Sequence, residues 1–266
     1  MKRLIINSDD YGRTPDISRG IRDAHLRGVV TSTTCMMNIP TTASDIAIAL
    51  KEAPKLGLGA HLVLTMGRPI SPREAVPSIV DENGDFFKYD PLIKNLPHLK
   101  MNEVKAEWRA QIDAFITATG QKPTHLDSHH HSSYFSSKLF REMLELAKEY
   151  DCAIRFPFTN DIPSELKETN KNVPELINEF NPRQPDVFMV DFYDEGATQA
   201  ALLQLINKVN DGTYEIMCHP GYVDDAFAKE SSYNKQRERE LKILTDPSVR
   251  EAIQASGINL ITFADL

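Results

Sequence analysis

The 266-residue sequence predicts an α/β fold, a distorted (β/α) barrel of about seven strands. Three observations lead there. Apolar runs of strand length alternate with stretches of helical period, the pattern of parallel strands joined by crossover helices. The number of such runs is close to that of a barrel with one unit missing or distorted. Polar residues able to do chemistry fall repeatedly at the carboxyl ends of strand signals, which parallel architectures collect on a single rim.

The first unit is the clearest. Residues 4–6, Leu-Ile-Ile, read as a buried strand. Thr14 then caps a helix with Pro15 at its first position, Ile17, Gly20, Ile21 and Ala24 form a stripe of period 3.6, and Gly28 stops it. Residues 29–37 make the second strand, a helix covers about 43–53, and the third strand, 57–64, carries His61. The rhythm breaks over 66–100, with prolines at 69, 72, 77, 91 and 97 and an Asn83-Gly84 hairpin signal between Ile79-Val80 and Phe86-Phe87. Long irregular insertions in compact domains are usually functional loops or lids.

Regularity resumes with a helix capped by Asn102, carrying Val104, Trp108, Ile112 and Phe115 on one face and ended by Gly120. A strand at 124–128, a helix at 136–150 and a strand at 152–156 follow. A second irregular stretch, 159–185, leads to a strand at 187–191, a helix at 200–209, a strand at 215–219, a charged helix at 235–244 and a last strand at 259–261. With no internal repeat or low-complexity tract, residues 1–266 read as a single domain with insertions at about 66–100 and 159–185.

Composition narrows the partners. A formal net charge of -8 and a pI near 5.5 would repel phosphate backbones, and no local basic patch offsets this, so nucleic acid is not an expected partner. Cys35, Cys152 and Cys218 are odd in number and widely spaced, which fits buried free thiols in a reducing compartment better than a disulfide framework. The opening residues hold an apolar run too short for a secretory signal, and no stretch is long enough to span a bilayer. The sequence therefore reads as cytoplasmic, with no membrane partner.

Four of the eight histidines, His125, His129, His130 and His131, crowd into one short run. Asp9 and Asp10 follow the first strand, His61 lies late in the third, Arg155 ends the fifth, and His219 ends the strand at 215–219. Carboxylate plus imidazole is the mixture that binds a divalent ion and leaves positions open for water and substrate. Each residue also has a plainer role open to it. The two acids could cap the turn into the Thr14 helix, His61 could be a satisfied core histidine, the triple histidine a solvated loop, and His219 a strand terminus. Their joint placement on one rim favours a metal site, because buried ionisable groups need partners and these would serve one another.

Period-two alternation puts His125 and Asp127 on one side of their strand, and His129 too if the strand extends that far. Asp127 is then placed to orient an imidazole, and Arg155 to pair with Asp9 and keep it ionised. His129 stands open as a third imidazole ligand or a substrate contact. Other chemistries fit less well. Cys218 and His219 are adjacent in a strand and point to opposite faces, no Gly-x-Ser-x-Gly elbow is present, and no phosphate-cradling glycine motif occurs.

Five segments carry a further signal: 7–12 (Asn-Ser-Asp-Asp-Tyr-Gly), 30–34 (Val-Thr-Ser-Thr-Thr), 59–69 (Gly-Ala-His-Leu-Val-Leu-Thr-Met-Gly-Arg-Pro), 122–131 (Lys-Pro-Thr-His-Leu-Asp-Ser-His-His-His) and 215–220 (Glu-Ile-Met-Cys-His-Pro). In this order they closely resemble the YdjC-like carbohydrate deacetylases, which include bacterial chitooligosaccharide deacetylases. The resemblance implies a distorted barrel of the glycoside hydrolase/deacetylase type, a homodimer, and an acetylated amino-sugar or oligosaccharide substrate. It further implies a divalent ion, magnesium by usual assignment and zinc as the alternative, held by Asp10, His61 and His125, with Asp9 as general base and His219 as general acid. Members of the family commonly carry another histidine two positions after the triple run, where this chain has Ser133 after Ser132. That departure bears on substrate contacts at the loop and on oligosaccharide length.

The activity so implied is hydrolysis of an N-acetyl group, with water activated by the ion and Asp9, and with His219 protonating the leaving amine. Two competitors remain. A two-carboxylate glycosidase would use Asp9 or Asp10 with another acid and need no metal. A sugar- or metal-binding protein would keep the histidines as ligands without turnover.

Overall fold

The apolar run that opens the chain becomes the spine of the sheet. In the computed structural model, which describes residues 1–156 and 171–266, β1 extends over Lys2–Tyr11 and is buried from Leu4 onward. It pairs in parallel with β7 (Gly212–Cys218), from Lys2 opposite Gly212 to Ser8 opposite Cys218. On its other side β2 (Ser32–Cys35) is followed outward by β3 (Gly57–Leu62), β4 (His125–Ser128) and β5 (Ala153–Ile154). Beyond β7 lies β6 (Val187–Met189), and the short β8 (Asn259–Leu260) pairs with Arg3 and Leu4. The path β5-β4-β3-β2-β1-β7-β6 thus holds seven parallel strands, and among the described residues β5 and β6 do not pair, so the barrel is a curled half.

Local chemistry explains the helices that matter for the site. In α1 (Pro15–Leu26) Thr14 accepts the Ile17 N–H, Pro15 occupies the first turn, and Ile17, Gly20, Ile21 and Ala24 are buried as the stripe requires. Gly20 is needed for close approach, because a Cβ there would stand 2.6 Å from the Gly221 Cα. After α2 (Thr42–Glu52) the segment 66–100 contains more regular structure than expected: α3 (Tyr89–Asn95), two single 3₁₀ turns, and a lone antiparallel bridge, Val80 to Phe86, across the Asn83-Gly84 turn.

That segment is moored on α4 (Met101–Thr119). Glu107 accepts the Ile70 and Ser71 N–H groups at 2.9 and 2.8 Å, Glu103 accepts that of Ser78 at 2.7 Å, and Gln111 bonds both backbone groups of Val63. Asn102 does not cap α4. The helix starts two residues earlier than its side chain would require, at a Lys100 carbonyl that accepts the Glu103 and Val104 N–H groups.

Past β4, α5 (Ser137–Tyr150) is capped by Ser136. The stretch expected to be irregular at 159–185 lies outside the described residues up to 170; beyond that it holds α6 (Val173–Phe180), whose proline sits in the first turn where it is tolerated and whose Val173 and Leu176 are buried. Then come α7 (Gln199–Lys208), α8 (Asp225–Glu230), α9 (Lys235–Leu244) and α10 (Pro247–Ala255). Helices α8 and α10 are not among the expected ones, although α10 has Asp246 as its cap, Pro247 at its start and Val249 and Ile253 buried one turn apart. No helix among the described residues is long and apolar enough to cross a membrane.

His125 belongs to the packing beneath the rim. Its ring lies on Phe263, centroids 3.7 Å apart and planes within 7°, and passes over Gly59, where a Cβ would meet the imidazole at 2.5 Å. Held between Phe263 and β3 the ring has nowhere to retreat, so Gly59→Ala is expected to cost about 1–3 kcal/mol. A urea titration checks it: the midpoint should fall with an unchanged slope.

Candidate active site at the strand rim

The site begins with an irregularity in β1. Ser8 pairs with Thr33 and Tyr11 with Cys35, so three steps along β1 match two along β2 and one residue is extra. This is a β-bulge, and it lets both Asp9 and Asp10 face the interior where regular pleating would send one out. Asp10 takes a left-handed backbone, φ 71°, to do so.

Asp9 is gripped by Arg155, just past β5, through Nη1 to Oδ2 (2.8 Å) and Nη2 to Oδ1 (2.6 Å). The same guanidinium reaches Asp127 of β4 (3.0 Å) and Glu215 of β7 (2.8 Å), and all four side chains are buried. Burial alone would raise the Asp9 carboxyl, but Arg155 overrides it and holds the group well below the usual carboxylate range. Glu215 carries the excess charge of the cluster: burial pushes it up to about 7, with Arg155 offsetting only part.

Asp127 accepts from Thr34 (3.1 Å) and binds His61 Nδ1 at 2.6 Å, which turns His61 Nε2 toward Asp10. Burial alone would lower the His61 imidazole, but Asp127 and Asp10 raise it to about 10. Asp10 Oδ2 accepts from Arg237 of α9 at 2.5 Å. Its other oxygen, Oδ1, is buried with no hydrogen bond of acceptable geometry, although His61 Nε2 lies 3.4 Å and His129 Nδ1 3.1 Å away. Burial would raise Asp10, yet Arg237 and His129 keep it well below the ordinary range.

Two sets of donor atoms lie within 4.8 Å of one another among the described residues: Asp10, His61 and His129, and Asp9, His61 and Asp127. The second set is spent, since Arg155 holds both carboxylates and Asp127 holds His61 Nδ1. The first fits a divalent cation. Bonds of about 2.0–2.2 Å put neighbouring ligands roughly 3 Å apart, the separation seen around an orphaned Asp10 Oδ1. Asp127 orients His61 as a supporting carboxylate should.

His125, expected beside Asp10 and His61, does not join them. As the first residue of β4 it sits below the rim and donates through Nε2 to Asn7 (3.1 Å), whose amide donates to Asp9 (3.1 Å). Burial, then Arg155, holds its imidazole well below the ordinary range. His129, past the end of β4, occupies the place instead. His130 and His131 follow with φ of 54° and 57°, a strained turn that brings all three rings to the cavity wall.

The cavity has a volume of about 750 Å³ and is lined by Asp9, Asp10, His61, His129 and His219, with Lys88 and Tyr89 from the moored segment. His219 follows β7 and points Nε2 at Asp9 Oδ2 from 3.9 Å; burial, opposed by Asp9, brings it down to about 4. Behind it α9 supplies two residues not expected at the site. Glu240 accepts the His219 N–H and the Tyr233 hydroxyl, and Arg237 holds Asp10. The signal was present: Arg237 and Glu240 share the buried helix face with Leu241 and Leu244.

A family model for YdjC-like protein matches residues 3–255. The chain belongs to this family. Among curated relatives of this YdjC-like chain, a carbohydrate deacetylase of Enterococcus faecalis is 40% identical across 100% of this chain and 98% of its own length. A chitooligosaccharide deacetylase of Yersinia enterocolitica is 32% identical, with 99% of each chain covered. A crystal structure from Enterococcus faecalis, 38% identical, superposes with a TM-score of 0.88 over 99% of this chain and 98% of that one. A family 4 carbohydrate esterase from Streptomyces lividans, 10% identical at TM-score 0.51 with 97% and 90% covered, shares the fold of this YdjC-like chain.

Burial pushes Glu240 from 4.5 up to about 7, so the folded chain keeps a proton there that the unfolded chain releases between those values. Native stability drawn from the neutral acid is therefore complete below about pH 4.5 and lost as pH rises toward 7. Glu240→Gln removes that loss. Its stability relative to the unsubstituted protein should climb across the window by roughly 1–3 kcal/mol, as read by denaturant titrations at pH 4.5, 6 and 7.5.

Proposed function

We propose that this chain is a metal-dependent hydrolase that removes N-acetyl groups from acetylated amino sugars or oligosaccharides of the chitooligosaccharide kind. The single observation that carries the reading is the buried convergence of Asp10, His61 and His129 around an unsatisfied carboxylate oxygen, with Asp9 and His219 facing each other beside it. The names of the relatives supply the substrate class.

Asp10, His61 and His129 would hold the ion. Once bound, a divalent ion, magnesium by family resemblance, supplies Lewis-acid polarisation of the acetyl carbonyl and lowers the pKa of water at the site. Asp9 takes the proton of that water. Arg155 keeps Asp9 ionised and fixes its aim, while the remaining lone pairs of its oxygens stay available.

His219 is neutral in the resting site near pH 7, so it must gain its proton during the cycle. Asp9 Oδ2, 3.9 Å from His219 Nε2, is the nearest source, and the proton taken from water at Asp9 passes to His219 and on to the leaving nitrogen. Without protonation the amine is a poor leaving group. The cytoplasm and a homodimer belong to the same reading, supported by three buried free cysteines and by the family resemblance respectively.

Incubation with diacetylchitobiose and magnesium should release acetate without cleaving the glycosidic bond, and a chelator should stop it. Glycosidic cleavage, or binding without turnover, would overturn the reading. Asp9→Asn is expected to abolish acetate release while metal stays bound, and His219→Ala to slow it by about 10²- to 10⁴-fold. For the ligand set the readout is metal content after gel filtration: His61→Ala and His129→Ala should lose the ion and His125→Ala should retain it. The opposite pattern between His125 and His129 would replace the proposed set.

A further inference from the structure

A pair of tyrosines takes no part in the chemistry above. Tyr193, on the loop after β6, and Tyr233, just before α9, lie ring on ring with centroids 4.4 Å apart and planes 2° from parallel. Each meets the His219 imidazole edge-on, at 5.5 and 5.6 Å. Both line the cavity that holds Asp9 and Asp10.

The two rings differ in freedom. Tyr233 is locked, since its hydroxyl donates to the buried Glu240 and accepts the Asp194 N–H at 3.2 Å. Tyr193 is 45% exposed. One of its faces is covered by Tyr233, so the exposure falls on the opposite face and the ring edge. An aromatic face left bare on a rigid backing at the mouth of a polar cavity loses the free energy of burial until a ligand covers it.

The ligand surface that suits it is a pyranose ring. Its C–H groups carry partial positive charge and pack against the negative face of an aromatic ring, while its hydroxyls stay at the edge in contact with water. The cavity volume of about 750 Å³ falls in the range that takes ligands of more than one ring. We propose that Tyr193, backed by Tyr233, is the platform for a second sugar ring, the one joined to the residue whose acetamido group lies between Asp9 and His219. This rests on the deacetylase reading and makes Tyr193 a determinant of oligosaccharide length.

The test is a split between KM and kcat on diacetylchitobiose. Tyr193→Ala should raise KM about tenfold or more, as loss of a ring-on-ring stack does, with kcat held within about threefold. Tyr193→Phe keeps the ring and should keep both constants. An unchanged KM in Tyr193→Ala overturns the platform, as does a fall in kcat at constant KM, which would mark the ring as a prop for His219. Should the unsubstituted enzyme release no acetate, the deacetylase reading fails and the platform is decided by Tyr193→Trp. The only tryptophan of the chain, Trp108, is fully buried, so the new indole reports alone from the cavity. A saturable change in its fluorescence on adding diacetylchitobiose supports the platform, and no change rejects it.

Discussion

One guanidinium fixes the relative positions of three strands. Arg155 is fully buried and satisfies carboxylates from β1, β4 and β7 at once, and a buried cation without those partners would be untenable. Breaking such a cluster by removing one member typically costs about 3–5 kcal/mol, because a charge is left uncompensated. The sheet therefore cannot drift out of register without stranding an ion. From Arg155 the order spreads through Asp127 to His61, and so to the orientation of the imidazole that faces Asp10.

Around this centre the chain tolerates local strain. Asp10, His130 and His131 all adopt left-handed backbones that cost of order 1 kcal/mol or more for residues with a Cβ. Each is held by tertiary contacts: Arg237 on Asp10, Thr65 on His130 at 3.1 Å, and the ring contact of His131 with Phe188 at 5.9 Å. The segment from 66 to 100 is likewise fixed from beneath by Glu103 and Glu107. Lys88 and Tyr89 thus belong to a moored wall of the cavity.

Most of the strand positions were legible in the sequence, because parallel strands buried on both faces spell themselves as apolar runs and the turns between them are punctuated. The rim was legible too: Asp9, Asp10, His61, Asp127, Arg155 and His219 do converge. Height along a strand was harder to read. Period-two alternation assigns His125 to the interior but says nothing of depth, and His125 packs on Phe263 and bonds Asn7 below the rim. Helix boundaries failed where backbone carbonyls outcompeted a side-chain cap, as at Asn102, and where a stretch read as irregular holds a helix, as in α6. Arg237 and Glu240 were readable from their helical spacing with Leu241 and Leu244, whereas the two tyrosines stayed hidden because a loop shows its inward face only once packed.

The extra residue in β1 has a consequence for mechanical robustness. Because Asp9 and Asp10 are consecutive, their Cα atoms are tied at about 3.8 Å by covalent geometry. Thermal breathing of the half-barrel moves both acids as a unit. The spacing between the two acids is thereby insulated from the packing fluctuations that set the separations between residues on different strands.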